Sequence, residues 1–323
     1  MLRIRDSDEF NQKINDFIVT IYRNLLNRDP DDDGLNYYSS YIKNSFGNGL
    51  EEFILEIINS DEFNANLINL WSKDDANKKK EFINKTYWEW IKANDDDYLE
   101  TFRLALSEIN SKYKRTDVIN RILSSREENT HYLEIGVRNL DDNFSLINAN
   151  VKYSVDPGDE VLINKADFKL RSDEFFELLS KGSILSPSIR FDVIFIDGLH
   201  LADQVDRDIN NALKFLKDDG FIVMHDCNPP TEWHARETYY YFKSPADGAW
   251  NGTVWKAFLK KRFDNSLNTC CIDTDWGVGI ISKNVDIGTS IKNDNPFFEY
   301  KKFAEKRKEY LNLISFNDFE NFL

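Results

Sequence analysis

Two stretches decide the fold: "FDVIFIDGLH" at residues 191–200 and "GFIVMHDCNPP" at residues 220–230. Each is a short run of β-branched and aromatic residues that stops at an aspartate with a histidine close by. Apolar runs of this length read as strands buried on both faces. Between them, "LADQVDRDINNALKFLKDDG" sets Val205, Ile209, Ala212, Leu213 and Leu216 on one helical stripe and closes at Gly220, the place of a helix cap. Strand, helix, strand is the grammar of a parallel crossover. Working outward, "HYLEIGV", "VKYSVDP" and "DFKLRS" are further strand-like runs, and "NTCCIDTDWGVGIISK" predicts a pair of strands turning near Trp276–Gly277. The pattern predicts an α/β domain, its sheet mostly parallel and covered by helices, with an antiparallel last strand.

In open α/β sheets, ligands sit at the carboxyl ends of the strands. The first strand ends with Glu134 and Gly136, the second with Asp156. A carboxylate after the second strand is the usual device for holding ribose hydroxyls. A glycine-rich cradle for pyrophosphate is missing, because "VRNLDD" follows Gly136. That combination favours an adenosine cofactor without phosphates, of which S-adenosylmethionine is the common one. Asp197 and Asp226 end neighbouring strands, whose backbones lie about 4.8 Å apart. Two carboxylates so placed repel each other unless a cation lies between them. Hard oxygen ligands favour Mg²⁺, Mn²⁺ or Ca²⁺ over Zn²⁺. Taken singly, either aspartate reads equally well as a cap for the following helix; the pair together with His200 favours chemistry. By strand alternation His225 faces away from Asp226 and reads as structural, as does His131. His234, in "PPTEWHAR", is a second candidate base on a lid-like loop. Trp233, Trp250, Trp255 and Trp276 read singly as core and together as a stacking wall for a sugar ring.

Residues 131–283 resemble a class I S-adenosylmethionine-dependent methyltransferase of the Methyltransferase 24 branch, with its Rossmann-like sheet. "YLEIGV" carries the cofactor motif, "SVDP" the ribose-binding acid, and "FDVIFIDGLH…GFIVMHD" the paired strand ends. The resemblance implies that Glu134, Gly136, Asp156, Ser172, Asp173 and Asp197 line the cofactor site, with Gly136 beside the methionine part and Ser172 and Asp173 beside the adenine. It is similar, too, to the metal-dependent catechol and macrocin types of O-methyltransferase. From these it implies Asp197, Asp226 and Asn228 as ligands of Mg²⁺ or Mn²⁺, Asn228 standing one place later than in the catechol type. Where the catechol type has a lysine base, this chain has His200, whose ordinary pKa near 6.5 suits proton removal at neutral pH.

The first part of the chain is different in kind. "FNQKINDFIVTIYRNLLN" puts Phe10, Ile14, Ile18, Ile21, Tyr22 and Leu25 on one helical stripe, and "GLEEFILEIINSDEF" points Phe53, Ile54, Ile57 and Ile58 inward. Tyr22, Arg23, Arg28, Pro30, Asp31, Gly34, Leu35, Tyr37, Tyr38, Ser60, Glu62 and Phe63 resemble the small helical DUF4214 family. Asp29, Asp31, Asp33 and Gly34 mimic the start of a calcium loop, but Ser40 stands where its bidentate Glu belongs and Asn36 where an apolar residue belongs, so the stretch reads as a helix-breaking turn. The expected organisation is a helical domain over 1–72, a helical connector over 73–127 holding Tyr87, Trp88 and Trp90, the methyltransferase domain over 128–284, and a helical tail over 285–323.

Bulk properties narrow the partners. The net charge of −15 repels nucleic-acid backbones and anionic membranes alike. The opening "MLRIRDSDEF" has no apolar signal region, no run is long enough to span a membrane, and Cys227, Cys270 and Cys271 are too few for a disulfide framework. A cytoplasmic enzyme is expected, methylating a hydroxyl of a small acceptor, with a sugar of a surface glycan the leading class. The N-terminal helical domain would bind a protein partner or a second copy. The rival is a non-catalytic scaffold that keeps a degenerate methyltransferase fold.

Overall fold

The computed structural model describes residues 8–44, 49–66, 92, 95–126, 129–241 and 244–323. Tyr87, Trp88 and Trp90 lie outside them, as do the side chains of Phe10 and Ile58. The chain forms two compact units, Met1–Glu100 and Thr101–Leu323.

In the first unit, helices α1 (Asp8–Ile21), α2 (Asp32–Asn44), α3 (Gly49–Asn59) and α4 (Asp61–Asn66) surround a small core. Ile14, Phe17, Ile18, Ile21, Tyr22 and Leu25 pack against Phe53, Ile54, Ile57 and Phe63. Four of the residues that carry the DUF4214 resemblance make contacts within this unit. Arg28 grips Glu62 through two guanidinium nitrogens at 2.5 and 2.9 Å, and Asp31 Oδ1 accepts from the Gly34 N–H at 2.7 Å as α2 begins.

In the second unit, helices α5 (Asp96–Ile109), which crosses from the first, and α6 (Arg115–Ser124) precede the sheet. The sheet is built from β1 (His131–Ile135), β2 (Val151–Val155), β3 (Phe191–Ile196), β4 (Leu216–Met224), β5 (Asn268–Ile272), β6 (Val278–Ser282) and β7 (Leu313–Ile314). Its order is β2-β1-β3-β4-β6-β5-β7. The first four strands run parallel, β6 runs antiparallel to β4, and β5 and β6 form the expected hairpin.

Alternation along the strands feeds two cores. Leu133, Ile135, Ile194, Ile196, Ile222 and Met224 face helices α7 (Ser172–Ser180), α8 (Ala202–Phe215) and α9 (Val254–Arg262). Tyr132, Val193, Phe195, Phe221 and Val223 face α6 on the other side, through Val118, Ile119, Ile122 and Leu123. Each fully buried Phe or Ile is worth about 1.5–3 kcal/mol, so this double-sided core fixes the strand positions firmly.

Three local expectations change. "DFKLRS" forms no strand; its Phe168 makes a lone parallel bridge to Val155. The crossover helix stops at Phe215 rather than Gly220, because Leu216 already pairs with Phe191 and the strand then shifts register. Gly220 lies inside β4, where a Cβ would come within 3.0 Å of the Asp192 carbonyl, so close backbone approach and not helix capping calls for glycine there. The tail is only partly helical. Tyr300–Glu305, Arg307–Leu311 and Phe316–Glu320 are short helices, and β7 adds a last strand parallel to β5.

Candidate active site

Register places the site. Ile135 pairs with Ile196, and Ile196 with Met224, so three parallel strands end in line. The next residues are therefore neighbours: the Asp197 N–H donates to the Ile135 carbonyl at 2.9 Å, and the His225 N–H to the Ile196 carbonyl at 3.2 Å. His225, not Asp226, stands level with Asp197. Asp226 then takes φ +63°, a left-handed conformation that Asp tolerates better than most residues. The expectation that His225 faces away is thus corrected. Strand alternation ends at Met224, and the left-handed step brings both side chains to one spot. His225 Nδ1 lies 3.1 Å from Asp226 Oδ2 and 3.4 Å from Asp197 Oδ1.

His200 closes the group from the loop after β3. Its Nε2 is 3.5 Å from Asp197 Oδ1 and 3.4 Å from Asp226 Oδ2. Its Nδ1 contacts the Trp250 carbonyl at 2.9 Å, and a carbonyl can only accept. The proton therefore belongs on Nδ1, and in the neutral ring the lone pair sits on Nε2, facing the carboxylates. The Trp250 ring stacks on the imidazole with centroids 5.1 Å apart. Arg115, at the start of α6, lies with Nε 3.8 Å from Asp197 Oδ2 and Nη1 3.2 Å from Asp275 Oδ2. Asp275 is also 3.4 Å from His225 Nε2, so it backs the ring on the side away from Asp226.

The charges are mutually dependent. Burial pushes the Asp197 carboxyl up, but the His225 charge, contacts from His200 and His225, and Arg115 outweigh it and hold it well below the usual carboxylate range. Burial pulls His200 down, yet Asp226 and Asp197 lift it to about 9. The same two carboxylates overcome burial at His225 and raise it well above its ordinary value. Asp275 is likewise lowered against its own burial, chiefly by His225.

The donor set suits a divalent cation. One atom each from Asp197, His225 and Asp226 lie within 4.8 Å of one another. Behind the ring, His225 Nε2 lies 3.2 Å from Arg115 Nη1 and 3.4 Å from Asp275 Oδ2, so a guanidinium and a carboxylate together fix its orientation. Two carboxylates and one imidazole suit Mn²⁺ better than Mg²⁺, which prefers oxygen alone. The Asn228 side chain is engaged by groups other than the cluster residues. Its amide nitrogen donates to Asp273 and its oxygen accepts from Arg307, because Cys227 and Asn228 are zipped by backbone hydrogen bonds to Gly277 and Trp276.

The other half of the edge is quieter. Gly136 has φ +87°, and a Cβ there would lie 2.3 Å from the Asp197 carbonyl, so neighbouring backbone fills that space. Asp156 accepts from the Val137, Arg138 and Gly158 N–H groups at 2.9, 3.1 and 2.6 Å. A carboxylate has about four lone-pair sites, which leaves Asp156 one for a ligand. Glu134 is buried, takes hydrogen bonds from Tyr132 and Asn143, and is pushed up to about 7 by burial.

A family model described as a methyltransferase domain matches residues 53–227, over half of the 323 residues. The chain belongs to this family. A model of a domain of unknown function, DUF4214, matches residues 1–67. No curated protein sequence matches the chain. Solved structures similar to this methyltransferase include an O-methyltransferase from Bacillus cereus in complex with SAH, 13% identical over 60% of this chain and 94% of that one, with TM-score 0.32. SAH-bound PaMTH1 of Podospora anserina is 13% identical over 67% and 100% of the two chains, with TM-score 0.36. MycE from the mycinamycin pathway, in complex with Mg, SAH and mycinamycin VI, is 14% identical over 77% and 67%, with TM-score 0.33. At scores this low, the strand order and the family match are what assign the fold.

The methyltransferase thus gathers Asp197, Asp226 and His200 as their strand ends imply, and keeps other candidates elsewhere. Ser172 accepts from Gln204 and Asp173 pairs with Arg207, both where α7 meets α8. His234 is fully buried, with Nδ1 against Thr231 Oγ1, and burial followed by the Arg236 charge lowers it to about 4. Arg115, Asp275 and Asn251 carry no sequence signal of their own. Only His225, the histidine of the "HD" pair beside an aspartate already singled out, could have pointed further.

Proposed function

We propose that the chain is a cytoplasmic S-adenosylmethionine-dependent O-methyltransferase, assisted by Mg²⁺ or Mn²⁺, that methylates a hydroxyl of a small acceptor, with a sugar of a surface glycan the favoured class. One observation carries the reading: His200 offers Nε2 to the point where the carboxylates of two adjacent strand ends meet. His200 there accepts the proton of the acceptor hydroxyl, and Trp250 keeps the ring oriented through its carbonyl and its stacked indole. Asp197, His225 and Asp226 would hold the cation, with Asp275 and Arg115 fixing the orientation of these side chains. A bound cation would lower the pKa of the acceptor hydroxyl and offset the carboxylate charge that retains the proton on His200. S-adenosylmethionine would supply the methyl group, its ribose held by Asp156. Orienting the reactants in line is worth about 7–11 kcal/mol, so the site needs no covalent intermediate.

Support for a sugar comes from the rings leading outward from His200. Trp250 contacts Tyr239 at 5.5 Å and Tyr239 contacts Tyr240 at 5.6 Å, with Tyr240 81% exposed. Flat, partly exposed aromatic faces of this kind take the apolar face of a sugar ring. The three cysteines are buried and unpaired, in keeping with a reducing compartment. Among the described residues, no helix is long and apolar enough to cross a membrane. For the N-terminal helical unit, we propose binding to a protein partner or to a second copy. The domain limits proposed are 1–72, 73–127, 128–284 and 285–323.

The scaffold reading keeps one observation in its favour: with both histidines charged, the carboxylate cluster neutralises itself. Calorimetric titration with S-adenosylmethionine and S-adenosylhomocysteine separates the two. Binding in the micromolar range supports the enzyme, and no binding at high micromolar ligand sinks it.

A further inference from the structure

We infer that Asn251 is a positioning residue that sets the Asp226 carboxylate for metal binding, an assignment that rests on the metal-assisted reading above. Asn251 is fully buried, and its Nδ2 donates to Asp226 Oδ1 at 2.7 Å. Its own Oδ1 has no hydrogen-bond partner. A buried amide oxygen left unpaired is a cost that a merely packed residue would avoid. The amide cannot recover this by flipping, because that would turn its oxygen onto the Asp226 carboxylate. The arrangement divides Asp226 in two. Oδ1 is anchored by the amide, and Oδ2 is left facing His225 Nδ1 at 3.1 Å and His200 Nε2 at 3.4 Å.

The neighbours of Asn251 show why the anchor is rigid. The Asn251 and Gly252 N–H groups both donate to the His234 carbonyl at 3.1 Å, and the Thr253 N–H donates to the His200 carbonyl at 2.8 Å. Gly252 has φ +62°, and a Cβ there would sit 2.1 Å from the His200 carbonyl oxygen. Trp250 accepts from His200 Nδ1 one residue earlier. Four consecutive residues, Trp250 to Thr253, therefore orient the base with one backbone carbonyl and the metal carboxylate with one side-chain amide.

The test is titration of the full-length chain with Mn²⁺, followed by calorimetry or by the paramagnetic signal of free Mn²⁺. Wild type, Asn251→Ala and the similarly branched Asn251→Leu are compared, with Asp226→Asn as the control that removes a ligand. Outer-shell partners of metal ligands are typically worth 10–100-fold in affinity. The Asn251 variants should weaken Mn²⁺ binding by that factor while leaving S-adenosylhomocysteine affinity within twofold of wild type. If Mn²⁺ binds wild type and an Asn251 variant that retains the cofactor equally well, the assignment is overturned and the metal site stands. Loss of cofactor and metal together in both variants makes Asn251 a structural residue and also overturns it. A wild-type chain that does not bind Mn²⁺ overturns the metal site itself, and this role of Asn251 with it.

Discussion

The carboxyl edge of the sheet has two halves that solve the same problem differently. At β1 and β2, Glu134 and Asp156 are satisfied by neutral donors: a phenol and an amide for one, three backbone N–H groups for the other. At β3 and β4, apart from the Asn251 amide on Asp226 Oδ1, Asp197 and Asp226 face groups that themselves titrate or carry charge, namely His200, His225 and Arg115. Neutral donors fix a carboxylate in place and leave it little else to do. Charged partners can be exchanged for another cation or for a substrate proton, so the second half is where chemistry is possible. Asp226 and Asp275, both of which face His225, are themselves held in left-handed backbone.

The comparison is broken most severely at the charged half. Asp197→Asn should suppress methyl transfer as fully as chelation does in the wild type, with S-adenosylhomocysteine affinity barely changed. Wild-type activity untouched by a chelator, with the variant as active as wild type, would make the aspartates structural. His200→Ala should next lower turnover by roughly 10²–10⁴, the usual worth of a positioned base, while both cofactor and Mn²⁺ still bind. Because the base works only when unprotonated, wild-type activity should fall toward acid, and the variant should lose that limb of its pH–rate profile.

Smaller effects belong to the quiet half. Asp156→Ala removes the one remaining acceptor site along with three loop contacts. The lost hydrogen bond to a charged group is worth about 1.5–3 kcal/mol, so S-adenosylhomocysteine affinity, read by calorimetry, should fall by roughly 10- to 150-fold. Unchanged affinity would place the ribose elsewhere. Glu134→Gln should act on stability alone. Burial raises Glu134 to about 7 in the folded chain, so the native state holds a proton that the unfolded chain releases near pH 4.3. Wild-type stability should therefore decline as pH rises from about 4.3 through 7, and thermal melts of the glutamine variant should lack that decline.

The sequence exposed what depends on local pattern. The strands ending at Asp197 and Asp226, the α8 stripe and the β5–β6 hairpin follow from alternation and helical period, because each buries its own apolar face. Asp197, Asp226 and His200 were legible because strand ends in such sheets face the ligand. What stayed hidden depends on register or on backbone outside a strand. His225 comes level with Asp197 only through the pairing of Ile196 with Met224. Arg115 arrives on a helix that has no motif, Asp275 on a left-handed turn, and Asn251 on a loop folded against His200. The partners of Asn228 were hidden for the same reason: its backbone is tied to the β5–β6 hairpin, a long-range pairing that no local pattern announces.

The most direct test is a pair of titrations, S-adenosylhomocysteine and Mn²⁺, each into the wild-type chain and into Asp226→Asn. Both ligands should bind the wild type, and the variant should keep the first while losing the second. A wild type that takes up neither, or a variant that binds Mn²⁺ as tightly as the wild type, would contradict the assignment of chemistry to the charged half of the sheet edge.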